Sequence, residues 1–189
     1  MLVIDICRTI IYFILLFFCA YTDYKKGKIY NKALTYFLIA FALIYIIAYI
    51  VFRIIDVDQI SLLNDNLKNN ALGFIICFAI GFIFYALGIF KGGDGKLFAI
   101  VGLCSGAASV TTHFVIIFLV AGVSALYVLI KNKILLSKLK RLWLYLKGII
   151  LTFKFTRYEI EPGDKIKFPF AVYICLGEII SYLYIYLRS

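Results

Sequence analysis

The stretch ALTYFLIAFALIYIIAYIVF, residues 33–52, runs through twenty residues without a single charge. Twenty apolar residues in a helix cover about 30 Å, the thickness of a bilayer's hydrocarbon core. Similar runs recur at residues 4–21, 71–90, 95–112, 113–130 and 169–187. The expected fold is therefore an all-α polytopic membrane protein of about six transmembrane helices. Composition agrees, with 65% hydrophobic residues and a mean hydropathy of +1.01, against roughly 45–50% apolar residues in soluble domains. No polar segment is long enough for a separate soluble domain, so residues 1–189 read as a single membrane-embedded domain.

The first run differs from a secretory signal: it has no basic leading region, carries Asp5 and Arg8 early, and lacks a small-residue exit site. It reads as a retained helix. The fourth run is the least hydrophobic and contains GLCSGAAS, in which Gly102 and Gly106 have the G-x-x-x-G spacing suited to close helix contact. A central, protein-packed helix is expected there.

Sixteen of the twenty Lys and Arg residues lie in three alternate loops: four in residues 21–33, two in 91–96 and ten in 131–168. The positive-inside rule makes these loops cytoplasmic and puts both termini, with the loop Arg53–Asn70, outside. A net charge of +10 could suggest nucleic acid, but charges beside membrane ends are accounted for by topology and anionic headgroups. Within the basic loop 131–168, Lys133, Ser137, Lys140, Arg141, Lys147 and Gly148 form one helical stripe opposite Leu, Ile and Trp143. That pattern predicts a cytoplasmic amphipathic helix lying in the interface.

The five cysteines, at 7, 19, 77, 104 and 175, include no C-x-x-C pair, and neither a metal site nor a disulfide is expected. His113, the only histidine, falls near an expected outer loop and reads as structural.

Among the carboxylates, Asp56, Asp58 and Asp65 are expected outside, Asp5 and Glu178 near or inside helix ends, and Glu159, Glu161 and Asp164 in the basic loop. Only Asp23 and Asp94 are expected both on the cytoplasmic face and tight against helix ends. An acid in that position can simply cap a helix. It can also belong to a pair: two close carboxylates share one proton, leaving one as a base for water and the other as an acid for a carbonyl oxygen. Such chemistry needs no metal and no cofactor. Gly92 and Gly93 are expected to allow unusual backbone angles and close substrate approach beside Asp94, although they fit an ordinary turn equally well.

Three segments carry a resemblance. KGGDGKLFAIVG, from Lys91, resembles the G-x-G-D-x-K-L segment of the type IV prepilin peptidases, membrane aspartic proteases that include the short enzymes of tight-adherence pilus systems and the archaeal preflagellin peptidases. DYKKGKIYNKAL, from Asp23, is similar to the family's first-aspartate segment, with Ile29 and Asn31 on its pattern. KIKFPFAVYICLGEII, from Lys165, is similar to the last helix with its Pro-containing opening turn. Two positions depart: Lys91 stands where the first Gly is usual, and Tyr30 stands where a Pro is usual.

The resemblance implies that Asp23 and Asp94 are the catalytic pair, with Gly93 shaping the loop and Lys96 matching the family's lysine; a lysine there could equally just reach the headgroups. It implies a substrate: a pilin-like precursor whose short basic leader is removed at the cytoplasmic face of a prokaryotic cell membrane. Glu159, Glu161 and Asp164 are expected to contact that leader. The first cytoplasmic loop is short and has no cysteines, so N-methyltransferase activity is not expected. The rival readings are an intramembrane protease related to presenilin or signal peptide peptidase, a small non-proteolytic transporter, and a scaffold of a secretion machine in which both acids are caps.

Overall fold

The computed structural model describes residues 2–55, 58–152 and 168–188. Its helices are α1 (Leu2–Lys26), α2 (Asn31–Ile55), α3 (Asp58–Ala86), α4 (Gly92–Lys131), α5 (Leu135–Thr152) and α6 (Phe170–Arg188). No strand occurs among the described residues. All of these helices except α5 are long and apolar enough to cross a membrane, and the protein is an all-α polytopic membrane protein.

At 40 residues, α4 would be about 60 Å long if straight, twice the hydrocarbon core. It is not straight. The ring of Phe98 lies 5.8 Å from that of Phe114 and 6.0 Å from that of Phe118, whereas positions 98 and 114 would stand about 24 Å apart along an unbroken helix. The chain folds back at Gly106, whose φ of 72° and ψ of 160° are accessible to glycine alone. Two limbs result, α4a (92–105) and α4b (107–131), in the region of the fourth and fifth expected runs. The expected break between residues 112 and 113 is thus corrected to Gly106, because hydropathy does not change at the turn and only a positive-φ residue can make it. The expected loop Arg53–Asn70 is also corrected: α2 continues to Ile55 and α3 begins at Asp58. Residues 58–72 contain neither Pro nor Gly, so nothing in this polar stretch stops a helix.

The small residues of α4a put it at the centre of the bundle, as its composition predicts. Leu97, Phe98, Ile100 and Val101 are at most 2% exposed. Along α3, a Cβ added to Gly81 would come within 3.0 Å of the Gly95 backbone, and one added to Gly102 would overlap the carbonyl oxygen of Gly73. The two backbones are therefore in direct contact, as close packing by small residues allows. Gly102→Ala is expected to cost about 2 kcal/mol by overpacking, read as a lower melting temperature in detergent. Gly122→Ala, where nothing lies within 4 Å, is the control, and equal melting of the two variants would contradict this contact.

In helix α5, Ser137, Lys140, Lys147 and Gly148 are exposed, and so are Leu136, Trp143 and Leu151, at 69–81%. At about 100° per residue Lys140 and Lys147 fall within about 60° of Leu136 and Trp143, so the expected separation into a polar stripe and an opposite apolar face is corrected. The rest of the described protein leaves these apolar side chains uncovered. Lys133 lies in the turn ahead of α5, with a φ of 57°.

Candidate active site

Asp23 lies one turn before the end of α1. Its carbonyl accepts the Gly27 N–H at 2.8 Å, and Gly27, at φ 62°, supplies the left-handed residue that ends the helix. The side chain turns inward and is only 4% exposed. Its Oδ2 accepts the backbone N–H of Ala171 at 3.1 Å, in the first turn of α6. That turn follows Pro169, whose carbonyl accepts the Val172 N–H at 3.1 Å, while the Ala171 N–H, one of the first-turn donors a helix leaves over, goes to Asp23.

Asp94 occupies the first turn of α4a, where its Oδ2 accepts the N–H of Lys91 at 3.0 Å; it is 5% exposed. The two aspartates are thus built alike, each buried and each holding one backbone N–H at a helix start. The two donors are near each other, since Phe90 and Phe170, the residues just before Lys91 and Ala171, have ring centres 4.7 Å apart. Phe84, Phe90, Phe98, Phe118 and Phe170 form a continuous aromatic cluster.

The two aspartate segments also meet through their flanking residues. A Cβ on Gly93 would come within 3.0 Å of the Cβ of Ile29, so the turn after α1 rests directly on the start of α4a. Lys96 Nζ donates to Asn31 Oδ1 at 3.1 Å, joining α4a to the first residue of α2. The lysine is therefore engaged across the site's edge. Lys96→Met is expected to slow turnover only by a fewfold, since an exposed hydrogen bond contributes about 1 kcal/mol. Combining it with Asn31→Ala should add little, and additive losses in a cleavage assay would mean that the two residues act separately.

The expected reason for the glycines is corrected. Neither Gly92 nor Gly93 has a positive φ; both are helical residues at the start of α4. Gly93 is required by its contact with Ile29, whereas a Cβ on Gly92 would meet only Tyr85, at 3.7 Å. The two departures from the family pattern are likewise accommodated. Lys91 has φ −76° and ψ 156°, ordinary extended backbone that needs no glycine. Tyr30 replaces the rigidity of a proline with a clamp: Lys26 Nζ donates to its hydroxyl at 3.2 Å and sits 5.5 Å from its ring centre.

Glu159, Glu161 and Asp164 lie outside the described residues. Sequence reasoning missed the Ala171 N–H, a backbone group whose only sequence signal is a helix start after Pro169, and the seating of Ile29 on Gly93. It also set His113 near an outer loop, whereas the residue is two turns into α4b, 2% exposed, and shares a hydrogen bond at 2.9 Å with the fully buried Glu178.

Comparison with known proteins supplies one match. A profile described as the type IV leader peptidase family matches residues 10–130, a segment that contains both aspartates and stops at the end of α4b. No curated protein and no solved structure matches the chain.

Proposed function

The chain belongs to the type IV leader peptidase family, and on that premise we propose that it is an aspartic endopeptidase, a single membrane-embedded domain that removes the short basic leader of pilin-like precursors. The observation that supports this reading is that Asp23 and Asp94, on separate helices, are both buried and each accepts a backbone N–H at a helix start, in segments that meet where Gly93 seats Ile29. One carboxylate takes a proton from water as the water oxygen bonds to the scissile carbonyl carbon; the protonated partner gives its proton to the carbonyl oxygen. Collapse of the tetrahedral intermediate breaks the C–N bond, and the amine leaves with a proton returned from the pair. No metal or cofactor takes part.

The orientation follows the basic loops, with the dyad at the cytoplasmic face of a prokaryotic cell membrane and both termini outside. This suits a precursor whose apolar helix lies in the bilayer and whose leader lies at the cytoplasmic interface. Anionic lipid under the exposed lysines of α5 would offset the repulsion between a basic leader and a basic enzyme face, and nucleic acid has no role. The acids Glu159, Glu161 and Asp164 are a second source of attraction for the leader, tested by reversing all three charges. The reaction stops at proteolysis, so mature pilin should stay unlabelled when labelled S-adenosylmethionine is supplied.

The test is co-expression with a pilin-like precursor, following leader removal by gel shift and by sequencing the new N-terminus. An unprocessed precursor, given a correctly folded enzyme and a matched pilin, would favour the transporter or scaffold reading.

A further inference from the structure

Outside the dyad, the most unusual polar group is the pair formed by His113 and Glu178, 2% and 0% exposed, joined at 2.9 Å between Nδ1 and Oε1. A buried ionisable pair within membrane helices is costly, and His113 engages only Glu178 Oε1, Oε2 having no hydrogen-bond partner among the described residues. Beside this pair, Gly177 lets α6 approach so closely that an added Cβ would come within 2.7 Å of the Cα of Ile117. The two contacts form a seam, one residue apart on α6 and one turn apart on α4b, so it resists both sliding and rotation.

Each end of this seam leads to one member of the dyad. Glu178 is seven residues from Ala171, about 10 Å along a straight helix, and the Ala171 N–H holds Asp23. His113 stands on α4b, which is packed against α4a through Phe98, Phe114 and Phe118, and α4a carries Asp94. The aromatic contact of Phe170 with Phe90 also places the top of α6, but ring packing has no fixed direction along the helix, whereas a hydrogen bond does.

We propose that His113 and Glu178 are a positioning pair that sets α6 against α4 and thereby fixes how Asp23 is presented to Asp94. The inference rests on the peptidase reading of the site. It assigns no acid–base role to either residue, because neither touches the reacting atoms.

The deciding experiment compares Glu178→Met, which keeps volume but loses the hydrogen bond, with Glu178→Gln, which keeps a bond to His113 and loses the charge. Measured per folded molecule, Glu178→Met is expected to lower kcat roughly tenfold to a hundredfold with KM unchanged, the scale of a small misplacement of catalytic groups. It should also speed hydrogen exchange of the Ala171 amide in detergent. Glu178→Gln should remain close to wild type in both. Wild-type kcat and exchange in Glu178→Met would overturn the proposal, as would a Gln variant as slow as the Met variant. Should Glu178→Met not fold, Gly177→Ala displaces α6 at the adjacent contact and is expected to produce the same loss of kcat. If the wild-type protein cleaves no precursor, the peptidase reading fails, while Ala171 exchange still decides whether the pair holds α6 in place.

Discussion

Asp94→Asn and Asp23→Asn are each expected to slow leader removal by about a thousandfold, within the range supplied by a positioned acid or base, while leaving the protein folded. The reason lies in what each carboxylate does at rest. Each accepts one backbone N–H, from Lys91 and from Ala171, and an asparagine oxygen can accept the same bond. A pure helix cap would therefore tolerate the change, since Asn caps about as well as Asp. A proton-sharing pair would not, because the amide neither takes a proton from water nor gives one to a carbonyl. Asn also keeps the volume of Asp and the accepted N–H bond, so both variants should melt close to wild type. Gel shift, N-terminal sequencing and melting in detergent, read together, test this. Cleavage at the wild-type rate by either folded variant would reduce that residue to a cap and favour the scaffold reading.

Gly106→Ala should produce the largest loss of stability of any single methyl addition considered. The backbone at φ 72° and ψ 160° excludes side chains at a cost of about 1–3 kcal/mol. An added Cβ would also overlap the amide nitrogen of Asn69. Asn69 cannot easily retreat, because its Oδ1 accepts the N–H of Ala108 at 3.1 Å and so caps the start of α4b from α3; losing such a cap costs about 1 kcal/mol. Its neighbour Asn70 donates to the Tyr45 hydroxyl at 2.7 Å, which also accepts from Arg8 at 3.3 Å, so the disturbance reaches α1 and α2. About 3 kcal/mol or more of destabilisation is expected, against about 2 for Gly102→Ala. Thermal unfolding in detergent measures both. A Gly106→Ala protein that melts with wild type would mean that α4 does not reverse at this residue.

Much of this molecule is legible in the chain alone. Runs such as residues 33–52 identify membrane helices because the bilayer imposes its thickness on every segment that crosses it, and the acid-bearing segments around Asp23 and Asp94 stand out because charge is rare in such a chain. Local chemistry was enough for these. Position 106 was not legible: Gly102 and Gly106 look alike in sequence, yet one is a flat contact face and the other a reversal, a difference set by what α3 places beside each. The helical stretch 58–70 was read as a loop on its polarity, although polarity decides exposure and not helicity.

The sequence by itself determined the membrane class and the all-α fold, because hydropathy acts residue by residue. Only the tertiary structure decided where α4 turns, which backbone N–H holds Asp23, why Gly93 has no side chain, and that His113 meets Glu178. Those facts are contacts between residues far apart in the chain, and no local pattern encodes the partner.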